Sequence, residues 1–218
     1  MAVEIPIAAL AGRSHTSDAK LLRRLDWRFL LPGPGLDSVG YVGPGKDLLL
    51  PALKQDAGSL VMIPEGKEIP TQRPDGVSLD VVVVQSSSFH ALQQGIALLK
   101  PNGWLYWEID RRQLDSGKST VNSNSGHPLK KPKELMKALQ RWGFCEAELN
   151  WHRPDFDTCD ELVSLMDGAP LGFLVGQFVE AGLPMWTSRA VRNLVLQGFF
   201  PLMFRCLSVV ARKGPSEE

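Results

Sequence analysis

Residues 79–110 constrain the fold of this chain more than any other stretch. Leu79-Asp80-Val81-Val82-Val83-Val84 is a short apolar run, rich in β-branched residues and without polar alternation. That is the pattern of a strand covered on both faces of a parallel sheet. Gln85-Ser86-Ser87-Ser88 breaks the run with small polar residues suited to a loop and a helix N-cap. Ala91, Leu92, Gly95, Ile96, Leu98 and Leu99 then recur at helical spacing until Lys100-Pro101-Asn102-Gly103 stops the helix. Trp104-Leu105-Tyr106-Trp107-Glu108-Ile109-Asp110 is a second strand, aromatic and β-branched. Strand, helix and strand form a crossover, and crossovers build α/β sheets.

The phrase Leu99-Lys100-Pro101-Asn102-Gly103-Trp104-Leu105, leading from this helix into a strand, resembles the fourth and fifth strands of the class I S-adenosylmethionine-dependent methyltransferases. The "LKPGG" turn is frequent in that family, and Asn102 stands for its first glycine. The resemblance implies a three-layer α/β sandwich around a mostly parallel, Rossmann-like sheet.

Upstream, Ser38-Val39-Gly40-Tyr41-Val42 is a strand and Gly43-Pro44-Gly45-Lys46-Asp47 the loop behind it, with Asp47 suited to cap a helix over 48–55. In the methyltransferases a Gly-x-Gly-x-Gly loop lets the backbone approach the cofactor's amino-acid portion. Gly43 and Gly45 match its first two glycines, and Asp47 departs from the third. Gly40, Gly45 and Lys46 also fit the Gly-x-x-x-x-Gly-Lys pattern of a phosphate-binding loop. There Asp47 would repel phosphate where a hydroxyl should hold magnesium, and the 79–84 strand ends in Gln85 rather than an acid.

Ser59-Leu60-Val61-Met62-Ile63 is the next strand, and Glu65 is the carboxylate nearest its end, either a ribose ligand or an exposed turn acid. Residues 64–78 are polar, rich in Pro and Gly, and too short for the third strand and flanking helices of a complete methyltransferase. The sheet is therefore expected to lack that strand and its helices.

Residues 19–30 carry apolar and basic positions at helical spacing, so 1–32 is expected to be an N-terminal helical extension, either packing on the sheet or acting as a lid. A polar loop over 111–129 is followed by a helix from Pro132 to Trp142 and a strand over 144–151. Residues 162–205 are apolar with scattered Gly and Pro, a variable helical region suited to core packing, a substrate pocket or a homodimer interface. Residues 207–212 are the closing strand, which the resemblance places antiparallel at the sheet edge. The whole of 1–218 is taken as one methyltransferase-like domain.

Lys plus Arg equals Asp plus Glu, at 24 each, so the chain lacks the basic excess of a nucleic-acid binder. Its three cysteines, Cys145, Cys159 and Cys206, have no metal-ligand spacing and imply reduced thiols in a cytoplasmic protein with no metal. No apolar run approaches the roughly 20 residues of a bilayer span.

The resemblance implies S-adenosylmethionine as cofactor, with Gly43, Gly45, Glu65, Gln85 and Ser86 as binding residues. The implied activity is methyl transfer to a small molecule or a glycan or natural-product precursor. Catalytic residues are not identified beyond the histidines His90 and His152. The departures at Asp47, at the end of the second strand and over 64–78 support a second reading. In it the chain is a catalytically inactive relative that has lost the cofactor site and serves as a binding or partner subunit.

Overall fold

The computed structural model describes residues 21–33, 36–45, 48–63, 78–86, 89–110, 132–166 and 205–215. Its elements are strand β1 (Ser38–Val42), helix α1 (Leu49–Asp56), β2 (Ser59–Ile63), β3 (Leu79–Val84), α2 (Phe89–Leu98), β4 (Leu99–Asp110), α3 (Pro132–Arg141), β5 (Phe144–Arg153), β6 (Glu161–Ser164) and β7 (Cys206–Lys213). Residues 21–23 are helical, and a 3-10 turn, Asp26–Leu30, follows them ahead of β1. Helix α1 begins behind Leu48, whose side chain makes no capping hydrogen bond, and Asp47, expected to cap this helix, lies outside the described residues.

The seven strands among the described residues join one sheet in the order β2-β1-β3-β4-β7-β5-β6. From β2 to β4 every neighbour is parallel, as expected from the buried apolar run of β3. Beyond β4 every pairing is antiparallel, so the expected mostly parallel sheet is only half right. The cause is β7. It lies between β4 and β5, not at the sheet edge, and its run Leu207-Ser208-Val209-Val210-Ala211 is buried throughout, as befits a strand covered on both faces. Strand β6 is a further correction, since its residues fall where the helical region was expected to begin. Among the described residues β2 forms the opposite edge, with no third strand beyond it.

Strand β4 starts earlier than its aromatic run suggests. Leu99 pairs Leu79 and Trp104 pairs Val81, so the Lys100–Gly103 turn is extruded as an irregularity inside the strand. Asn102 takes a left-handed conformation there (φ 61°), which Asn tolerates better than most residues.

The sheet is covered on both faces. On one, Val82, Val84, Leu105 and Trp107 pack against Leu92 of α2 and Leu139 of α3. On the other, Val39, Tyr41, Val83 and Tyr106 pack against Leu49 and Leu53 of α1 and against the segment that carries Leu25 and Trp27. Trp27 stacks on Tyr106 with ring centres 4.0 Å apart and planes 9° apart, which fixes the N-terminal segment over the middle of the sheet.

Candidate functional site

Strands β1 and β3 are neighbours, yet the chain leaves β1 for β2 on one side and leaves β3 for β4 on the other. The carboxyl ends of two such strands form the crevice where open α/β sheets bind ligands. The fold therefore brings Gly43, Gly45, Gln85 and Ser86 together, from loops far apart in sequence. The Gln85 N–H donates to the Val42 carbonyl at 2.7 Å, and the Trp107 indole donates to the Ser86 carbonyl at 2.8 Å.

The loop is closed by a residue that sequence reasoning passed over. Tyr41 is fully buried. Its hydroxyl donates to Gln85 Oε1 at 2.5 Å and accepts from the Gly45 N–H at 3.3 Å. A Cβ on Gly43 would lie 2.7 Å from that hydroxyl, 2.9 Å from the ring and 3.0 Å from the Gln85 side chain. Gly45 is in the left-handed region (φ 65°), where a side chain would be strained.

These contacts test the fit of S-adenosylmethionine. A cofactor loop keeps its glycines bare so that the ligand can come close, and it leaves backbone N–H groups free to receive the ligand's charged end. Here the space beside Gly43 is filled by Tyr41, while the Gly45 N–H and the Gln85 side-chain oxygen Oε1 are bound within the protein. The described residues of the crevice do not fit the amino-acid end of the cofactor. Glu65, Lys46 and Asp47 lie outside the described residues.

His90 is exposed on the first turn of α2, beside this crevice, and its Nε2 lies 3.2 Å from Gln94 Nε2. His152 is elsewhere, buried on β5 with Nε2 2.7 Å from the Ser208 hydroxyl and its ring against Phe156 at 4.7 Å. Burial, reinforced by the Arg24 charge, lowers its pKa to about 3, so the ring is neutral at physiological pH.

His152 borders a buried charged cluster. Arg24 reaches from the N-terminal segment and grips Glu108 of β4 with two hydrogen bonds, 2.5 and 2.8 Å long. Its Nε faces Asp157 at 3.0 Å, and its guanidinium lies 5.4 Å from the centre of the Phe156 ring. Tyr106 donates to Glu108 at 2.9 Å. Burial first, and the Glu108 carboxylate second, push the Tyr106 phenol well above its ordinary pKa, so it remains a donor. Asp155 Oδ1 accepts from the N–H groups of Asp157 and Thr158, a turn that presents Phe156 and Asp157 to Arg24.

Among the described residues no group of His, Cys, Asp or Glu is placed to hold a metal ion, and no helix is long and apolar enough to cross a membrane.

No family model matches this sequence, and no curated protein matches it. Solved structures do. A SAM-dependent methyltransferase of Thermotoga maritima, described as a possible histamine N-methyltransferase, is 13% identical over 88% of this chain and 89% of its own, with a TM-score of 0.45. A SAM-dependent methyltransferase of Archaeoglobus fulgidus is 14% identical over 89% of this chain and 94% of its own, at 0.43. YjhP of E. coli is 13% identical over 95% of both chains, at 0.36. The likeness concerns fold alone, and the strand order by itself shows an α/β, Rossmann-like sheet.

Proposed function

We propose that this chain is a methyltransferase-like binding or partner subunit that does not use S-adenosylmethionine. The observation behind this reading is the Tyr41 hydroxyl, which occupies the close-approach space at Gly43 and ties Gly45 to Gln85. Asp47 in place of the third glycine, and the shortness of 64–78, point the same way.

The competing reading is a methyltransferase acting on a small molecule or a glycan or natural-product precursor. It is favoured by the meeting of Gly43, Gly45, Gln85 and Ser86 where β1 and β3 diverge. Methyl transfer from a sulfonium is an in-line displacement to which alignment contributes much, so the lack of an acid-base pair does not count against it.

Isothermal titration with S-adenosylhomocysteine, run alongside thermal unfolding, separates the two. The binding-subunit reading expects no heat and no rise in Tm at millimolar ligand. Micromolar binding with a Tm that climbs with ligand concentration overturns it and establishes the cofactor loop as functional.

A further inference from the structure

At the other end of the sheet, by the start of β4, lies a groove of about 420 Å³. Its floor is a row of side chains across three strands, since Arg212 is paired in register with Trp104 on one side and Glu146 on the other. Glu148 opposes Val210 in the next row. Its wall is the N-terminal segment from Phe29 to Pro32.

Phe29 is 76% exposed, so its ring is open to a ligand at the rim of the groove. The charges in the groove do not balance. Arg212 is matched by Glu146 at 3.4 Å, which leaves the exposed Glu148 carboxylate without an ion pair among the described residues. Arg28, beside Phe29, is matched by Asp56 outside the groove lining, so one carboxylate remains in excess and favours a cation. Both aromatic walls already take guanidinium groups, Arg28 at 5.5 Å from the Phe29 ring centre and Arg212 at 6.0 Å from that of Trp104.

We infer that this groove binds a small organic ammonium ion with an apolar body, its charge on Glu148 and its body between Phe29 and Trp104. The volume lies within the usual range for small-molecule sites. Because the groove is at the far end of the sheet from Gly43 and Gln85, its occupancy does not depend on the cofactor question.

Two probes with similar bodies and opposite charges test this, 2-phenylethylamine and 3-phenylpropionate, titrated while Trp fluorescence and NMR shifts are followed. The amine should bind with a dissociation constant below ~1 mM and the carboxylate at least about tenfold more weakly. Glu148→Gln should weaken the amine about five- to tenfold, and Phe29→Ala by a similar factor. Both positions are exposed, so thermal unfolding of each variant should match that of the parent chain. Equal affinity for the two probes, no binding of the amine, or an affinity unchanged by Glu148→Gln would each overturn the inference.

Discussion

Two polar clusters occupy the carboxyl end of this sheet, one closed by neutral groups and one by charges. Tyr41, Gly45 and Gln85 are joined by a hydroxyl that gives one hydrogen bond and takes another. Arg24, Glu108 and Asp157 are joined by ion pairs, and the Arg24 and Glu108 side chains are 2% and 1% exposed. A neutral hydrogen bond contributes about 1 kcal/mol net, and its loss leaves a modest desolvation cost. A buried charge left without its partner costs several times more. The neutral cluster can therefore be altered without unfolding the chain, and alterations there report on whether the loop is shaped by Tyr41 or by a ligand. The charged cluster holds the N-terminal segment to the sheet, and alterations there report on the fold.

Glu108→Ala applies the most severe test. It takes from the buried Arg24 guanidinium its two-hydrogen-bond partner, leaving the half-exposed Asp157 to face it, and removes the acceptor of the Tyr106 hydroxyl, so stability in urea should fall by about 3–5 kcal/mol. Replacing both partners, Arg24→Met with Glu108→Leu, should recover most of that loss, because no charge is then left buried alone. A double variant as unstable as the single one would mean that the cluster is held by something other than charge pairing.

His152 gives the same cluster a pH dependence. Its folded pKa of about 3 lies below the ordinary 6.5, so below about pH 6.5 the unfolded chain takes up a proton that the folded chain refuses. The contribution is complete above pH 6.5 and drains away as the pH falls towards 3, at about 1.4 kcal/mol per pH unit. Urea unfolding of His152→Gln between pH 7 and 5 should lack this part of the slope. An unchanged slope would show that the ring is not held neutral.

Gly43→Ala bears on the neutral cluster. If Tyr41 is what requires the glycine, the new methyl collides with the phenol and stability falls by about 1–3 kcal/mol without any ligand present. If instead a cofactor required it, the variant would fold as well as its parent and lose only binding. Tyr41→Phe, which removes the hydroxyl alone, should cost about 1 kcal/mol by the same assay.

Much of this was legible in the residues. The β-branched run of β3, the Pro and Gly stops, and the helical spacing of α2 and α3 are local signals, and they placed the parallel half of the sheet, whereas Gly43, Gly45, Gln85 and Ser86 were singled out by the resemblance alone. The antiparallel half was less legible. Whether Cys206–Lys213 lies at the edge or inside depends on what pairs with it, although its unbroken burial was hinted at by the apolar run Val209-Val210-Ala211. Arg24 and Glu108 are 84 residues apart, and each reads alone as a surface charge. One signal was available: Glu108 sits two residues after Tyr106 in a run otherwise apolar, so it shares a buried face and needs a partner. Tyr41 offered the same clue, as a hydroxyl two residues before a glycine, on that glycine's side of the strand.

The smallest predicted effect makes the sharpest control, because it uses the adjacent residue. Arg23 pairs with Asp160 at 3.0 Å, a contact of the same chemical type as the one Arg24 makes, between the same N-terminal segment and the loop before β6. These side chains are 57% and 68% exposed, so water screens the attraction and solvates either charge when the other is removed. Asp160→Asn should therefore change unfolding free energy by less than about 0.5 kcal/mol, and the difference should vanish in high salt. A loss approaching that of Glu108→Ala would mean that the segment is held by its total charge. The expected disparity assigns the hold to burial, which one residue of two consecutive arginines has and the other lacks.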